Sequence, residues 1–360
     1  MTTNALTGPW PDVAFPPGRL LAGELEARGL SQTDLARRTG RPLQALNEII
    51  KGKKAITPET ALELERVLGT PAYVWLNLER DYQYNKTRLE DLARVQAQVE
   101  MARKFPYRDM AKLGWVKDTR DWAERVRELL GFFGVARLDV ISEVQSVAYR
   151  RSRTRDASPQ ALAAWLRKGE LEAAEVKTQP FDARKLRAAL PRLREMTAWP
   201  PAKFQQPLCD LCAECGVALV FVPHLPKTHA NGAVRWLNKD TVLAQLSVLH
   251  KYDDIFWFGL FHELAHALLH GKRDVFVETT GNQRTGKERE ADDFAANTLI
   301  PPAQVERLRG LRAYSAAAVK AFAREIGLAP SVVVGRLQHE KLLPPTHLNG
   351  LRAKFQIMGC

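Results

Sequence analysis

Two histidines four residues apart, with a glutamate directly after the first, stand at His262, Glu263 and His266. They lie in an apolar run over 255–269 that is long enough for one buried helix. At 3.6 residues per turn, positions i and i+4 sit one above the other on a single face. Two imidazoles placed this way can hold one Zn²⁺, and Glu263 can then take a proton from water that the metal acidifies to a pKa of about 7. This is hydrolytic chemistry. An apolar helix rarely keeps two histidines and a glutamate buried unless something pairs them.

Such a site needs a third protein ligand and an open fourth position. A glycine three residues and a histidine six residues after His266 would make it a metzincin, but the chain has Leu269 and Lys272 there. The ligand must come from elsewhere. The next candidate is the acid-rich, alanine-rich helix expected over 287–297, stopped by Pro301 and Pro302. Glu290 shares a helical face with Phe294 and Asn297 and could point inward. Glu288 competes with it, because Asp292 lies one turn on and could orient a ligating histidine.

The two motifs together, His262 to Gly271 and Glu288 to Pro301, resemble the ImmA/IrrE metallopeptidases, which are gluzincin-like enzymes. The resemblance spans about 207–302. It implies a zinc metallo-endopeptidase acting on a repressor or other regulatory protein, with Zn²⁺ as cofactor. It also implies His262, His266 and Glu290, the glutamate immediately before Ala291, as metal ligands, with Glu263 as catalytic base. His270 stands before Gly271 and reads as the helix end, where a cation is favoured, rather than as a ligand.

The elements that must position these residues are helices and a small sheet. Strands are expected at 217–222, 233–237 and 241–246, with a turn at 238–240. The second strand could hold an extended peptide by edge pairing, and Gly232 would allow a close approach. Cys209, Cys212 and Cys215 fall at i, i+3 and i+6 of an apolar helix, so they read as its core face, with Gly216 as the stop. With Cys360 they make no disulfide framework, which fits a reducing cytoplasm.

Toward the start of the chain, 19–82 reads as five short helices. Ser31 caps the second and Gly40 stops it. Arg41 and Pro42 open a third, Thr57 and Pro58 a fourth, and Pro71 a fifth. A capped helix, a tight turn and a second amphipathic helix form a helix-turn-helix. The third helix would expose Gln44, Asn47 and Lys51, with Arg41 at its start. Gln and Asn suit bidentate pairing with adenine, and Lys51, Lys53 and Lys54 suit phosphates. Gln32, at the start of the second helix, is counted with them. The segments 30–36, 46–61 and 68–78 resemble the XRE-type domain of HigA antitoxins. That resemblance implies binding of double-stranded operator DNA as a homodimer. In the short antitoxins it also implies a toxin partner, which the long C-terminal extension of this chain puts in question.

The fold class expected is therefore α+β and predominantly helical. A five-helix DNA-binding domain over 18–84 would be followed by a helical connecting domain over 85–200 and a zinc-peptidase domain with a small sheet over 201–360. Within the connecting domain, helices are expected over 86–104 and 119–130, a basic loop at 150–155, a helix over 180–194 and a linker at 199–201. The net charge of +12 resides mostly in this middle segment, because residues 1–84 hold 10 basic and 10 acidic side chains. DNA binding therefore rests on pattern rather than on charge. No window of about 18 apolar residues suggests a membrane span, so a cytoplasmic protein with no membrane partner is expected.

Overall fold

The computed structural model describes residues 11–141, 157–247, 252–271, 276–279 and 286–354. The basic cluster at 150–155 and Cys360 lie outside them. The chain divides into two compact units, Met1–Val99 and Glu100–Cys360.

The first unit carries α1 (Gly18–Ala27), α2 (Gln32–Thr39), α3 (Leu43–Ile50), α4 (Pro58–Leu68) and α5 (Ala72–Ala97). The Ser31 hydroxyl accepts from the Asp34 amide at 3.0 Å, and the Asp34 carboxylate accepts from the Ser31 amide, so a capping box starts α2. Gly40 ends α2 at φ 70°, a left-handed conformation that glycine adopts at no steric cost. Leu21, Leu35, Leu46, Ile49, Leu64 and Trp75 close around one another as the core. The fifth helix does not stop near Tyr82. No Gly or Pro occurs from Ala72 to Ala97, so α5 continues for 26 residues. The expected boundary at 84/85 falls inside it, and the separate helix expected over 86–104 is its second half followed by the short α6 (Val99–Ala102).

In the second unit α7 (Tyr107–Lys112), α8 (Trp122–Phe133) and α9 (Pro159–Glu175) lead to α10 (Ala183–Glu195) and α11 (Pro201–Glu214). Strands β1 (Val217–Val222), β2 (Ala230–Trp236) and β3 (Val242–Ser247) precede α12 (Asp253–Leu269). Then come β4 (Phe276–Thr279), α13 (Gly286–Leu299), α14 (Pro302–Arg309), α15 (Ala316–Glu325) and α16 (Pro330–His339). The sheet order is β1-β3-β2-β4; β1 runs parallel to β3, and the other pairs are antiparallel. This is an α+β fold, mostly helical with one small sheet.

Every residue of β1 is buried, as a strand covered on both faces must be. Val217, Leu219 and Phe221 join the main core with Phe261 and Leu264 of α12. The opposite face meets α9: the Trp165 indole donates to the Val222 carbonyl at 3.3 Å, and Gln245 Nε2 donates to the Trp165 carbonyl at 2.7 Å. Gly169 permits this approach, since a Cβ there would stand 1.9 Å from Gln245 Oε1. Of the described part of 85–200, α9 and α10 pack as layers of the sheet unit. The expected linker at 199–201 is instead a tight passage from α10 into α11, with Leu193, Met196 and Phe204 in one core.

One further expectation changes. β2 lies between β3 and β4, so Gly232 is not on an edge, and the strand the sequence hid is β4. Cys209 and Cys212 do lie on the buried face of α11, and Cys212 and Cys215 are free thiols. Among the described residues no helix is long and apolar enough to cross a membrane.

Candidate metal centre and helix-turn-helix surface

The helix α12 is fixed at its start by buried acids. Asp253 accepts from the Ser331 hydroxyl at 2.6 Å, and Asp254 pairs with Arg352 at 2.9 Å. From Leu260 to Ala267 every side chain is buried, including His262, Glu263 and His266. The helix thus carries its polar residues into the interior between β2 and α13.

There the i, i+4 pair converges. His262 Nε2 and His266 Nε2 are 3.0 Å apart, and Glu288 Oε2 of α13 lies 3.2 Å from the first and 3.4 Å from the second. One ligand atom from each of these three residues falls within 4.8 Å of the others. Asp292, one turn further along α13, reaches His262 Nδ1 at 3.0 Å.

Glu290 is not in this group. Its side chain is 66% exposed and meets His270 Nε2 at 3.2 Å. Of the expected set, the structure brings His262 and His266 together, and Glu288 rather than Glu290 stands beside them. The reason is rotational. Positions 288 and 292 share one stripe of α13, whereas 290 lies about 200° round the helix from 288.

Glu263 is fully buried, and neither carboxylate oxygen has a hydrogen-bond partner among the described residues. Burial lifts its pKa well above the ordinary range, and the acidic neighbours Glu278 and Glu288 add to this against the opposing pull of His262. A buried acceptor left without a donor costs about 1–3 kcal/mol, more if charged. Its orphaned state beside three converging donors fits a site built for a cation and a water. Glu278 of β4 is a fourth carboxylate nearby, also raised by burial. No sequence signal singled it out, because β4 itself was not foreseen.

The electrostatics follow from these contacts. Burial works against a charged His262, but Asp292 and Glu288 outweigh it and push its pKa up to about 11. Burial likewise opposes the Glu288 carboxylate, which hydrogen bonds to His262 and His266 nevertheless hold down to about 2. His266 is lowered, chiefly by burial. The two histidines thus lean opposite ways, because only His262 has Asp292 behind it. Two nitrogens, a carboxylate and a buried base suit Zn²⁺, which takes three protein ligands where it is catalytic.

In the first unit α2, the turn at 40–42 and α3 make a helix-turn-helix. Gln44 is exposed on α3, Asn47 is half-buried, and Lys51, Lys53 and Lys54 are exposed at its end. Gln32 is half-buried at the start of α2. Gln44 bonds Glu48 along its own helix at 3.1 Å and so stays on the surface. Arg41 is the exception, because its guanidinium is turned onto Glu63 of α4 and half-buried there. The pattern did not single out Arg37 and Arg38, which are exposed in the last turn of α2.

Two family models match the chain: a helix-turn-helix model over residues 22–75 and the peptidase model described as the IrrE N-terminal-like domain over residues 251–338. The chain belongs to the XRE-type helix-turn-helix family through its N-terminal unit and carries an IrrE-like M78 peptidase domain at its C-terminal end. Among curated proteins, virulence-associated protein I of Dichelobacter nodosus is 39% identical over 70 residues, 19% of this chain and 65% of that protein. The uncharacterized HTH-type transcriptional regulator YddM of Escherichia coli is 32% identical over 63 residues, 18% of this chain and 67% of that protein. The chain thus spans slightly under two thirds of the Dichelobacter relative. Among solved structures, an addiction module antidote protein of a HigA family from Coxiella burnetii is 30% identical, covering 24% of this chain and 92% of that one, with a TM-score of 0.21. The Pseudomonas aeruginosa antitoxin HigA with the higBA promoter is 24% identical, covering 24% and 95%, with a TM-score of 0.23.

Proposed function

We propose that this protein is a DNA-binding regulator whose C-terminal domain is a zinc-dependent endopeptidase that cleaves a protein partner, a repressor or a toxin. The observation that carries the reading is the convergence of His262, His266 and Glu288 beside the buried carboxylate of Glu263, which has no hydrogen-bond partner among the described residues. His262, His266 and Glu288 would hold Zn²⁺, which supplies Lewis-acid chemistry to a scissile carbonyl and to water. Asp292 fixes the ring of His262 through Nδ1, so that Nε2 faces the other two donors. Glu263, next to the first of these histidines, would accept the proton of the attacking water and could pass it to the leaving amine. Burial of α12 limits competing bulk water.

On the DNA side, Gln44, Asn47, Lys51, Lys53 and Lys54, joined by Gln32, would meet an operator as a homodimer, with half-sites about one helical turn apart. Arg41, held by Glu63, would serve the fold first and contact phosphate only by leaving that pair.

The test is Glu263→Gln, which keeps the shape of the side chain and removes the base. Zinc content and operator affinity should match wild type, while cleavage of candidate partners slows by at least about 10²-fold. The candidates are the chain itself and the product of the neighbouring gene. If Glu263→Gln controls the promoter and the partner as well as wild type, with no fragment in either case, the domain is a binding surface and not an enzyme.

A further inference from the structure

We infer that His270 and Glu290 form a positioning pair that orients His266, the second imidazole of the site, through its outer nitrogen. The inference rests on the reading of His262, His266 and Glu288 as a zinc site. His266 Nδ1 lies 2.8 Å from His270 Nδ1, and His270 Nε2 lies 3.2 Å from Glu290 Oε2. With Nε2 of His266 turned to His262 and Glu288, its hydrogen belongs on Nδ1. The order of donors is then fixed along the line. His266 Nδ1–H donates to His270 Nδ1, and His270 Nε2–H donates to the Glu290 carboxylate.

The arrangement parallels the other histidine. His262 gives its Nδ1–H directly to Asp292. Glu290 is too far round α13 to do the same for His266, and His270, the extended residue that caps α12 four positions after His266, spans the gap. Both rings are also packed against Phe276 of β4, whose centroid is 4.0 Å from His266 in a stacked contact and 5.0 Å from His270. The His270 side chain is 3% exposed and Glu290 66% exposed, so the line runs from the buried site to solvent. An outer partner that fixes a ligating imidazole typically contributes 10–100-fold to metal affinity.

The experiment measures Zn²⁺ affinity of the full chain by competition with a chelator, together with the absorption bands of the Co²⁺-loaded protein. His270→Ala should still bind one metal but 10–100-fold more weakly, with shifted Co²⁺ bands. His270→Gln, whose carbonyl can accept from His266 and whose amide can donate to Glu290, should recover most of both. Glu290→Ala, on the surface and harmless to folding, should weaken zinc by less than about tenfold. Wild-type affinity and bands in both His270→Ala and Glu290→Ala would overturn the pair. Complete loss of metal in His270→Ala, as in His262→Ala, would overturn it differently, by making His270 a ligand. If wild type itself takes up no zinc or cobalt, the zinc reading fails instead, and the pair with it.

Discussion

Gly232 on β2 makes room for the carboxylate of Glu263 on α12: a Cβ at position 232 would stand 2.0 Å from Oε1, 2.7 Å from Cδ and 2.9 Å from Cγ. Most of the glutamate side chain would have to move, and it is fully buried. Gly232→Ala should therefore lower stability by about 1–3 kcal/mol, the usual penalty of overpacking. Cleavage should fall with it, while zinc content persists. Thermal denaturation and metal analysis of the purified variant check both halves. An unchanged melting temperature would mean that β2 and α12 part easily.

The ligand set can be tested by exchanging neighbouring glutamates. Glu288→Gln removes the charged donor 3.2 Å from His262 Nε2 and should abolish stoichiometric zinc. Glu290→Gln should leave one zinc per chain, since position 290 faces solvent. A His262→Ala/His266→Ala double variant that still carried a full zinc would place the metal elsewhere.

The contrast between these glutamates marks where the sequence could be read and where it could not. The apolar run around His262 and the four-residue spacing to His266 were enough to bring the two rings to one face, because helical periodicity alone dictates it. Choosing between positions 288 and 290 needed the rotation of α13 about its axis. The pattern of Phe294 and Asn297 suggested one rotation, and packing against α12 set another, in which Glu288 and Asp292 both face His262. Strand β4 has only four residues, too few for a period to show. The Ser31 cap of α2 and the glycine stop at Gly40 were legible because they depend on nearby residues. The partner of Arg41, Glu63, lies 22 positions away and was not.

Zinc affinity should rise with pH. His262 is held charged up to about 11, because Asp292 and Glu288 outweigh the cost of burying it. A cation at Nε2 must displace that proton, so binding releases it, and affinity should climb by up to about tenfold per pH unit between roughly pH 7 and 9. Stability follows with the opposite sign in metal-free protein. A folded pKa above the unfolded value of 6.5 stabilises fully below that value and is lost as pH rises toward about 11. The rise in melting temperature on adding zinc should therefore be larger at pH 8.5 than at pH 6. An equal or smaller rise at the higher pH would show that His262 carries no such proton.

DNA recognition separates into base reading and charge. Asn47 sits half-buried on α3, where its amide can make two hydrogen bonds to an adenine edge. Asn47→Ala should cost about 1–3 kcal/mol at one operator position and relax the preference for that base, with little change on random duplex. Lys53 is exposed just past α3 and can only add charge. Lys53→Ala should weaken every sequence alike and flatten the slope of log affinity against log salt by about one unit. Arg41→Ala should behave as neither, because its guanidinium ties the turn before α3 to Glu63 of α4. Its main effect should be a lower melting temperature of the N-terminal unit. Binding curves of the full chain on operator and random duplex, at several salt concentrations, distinguish the three. If Asn47→Ala and Lys53→Ala bind both duplexes as wild type does, α3 does not enter the groove, and the face it presents serves a protein partner instead.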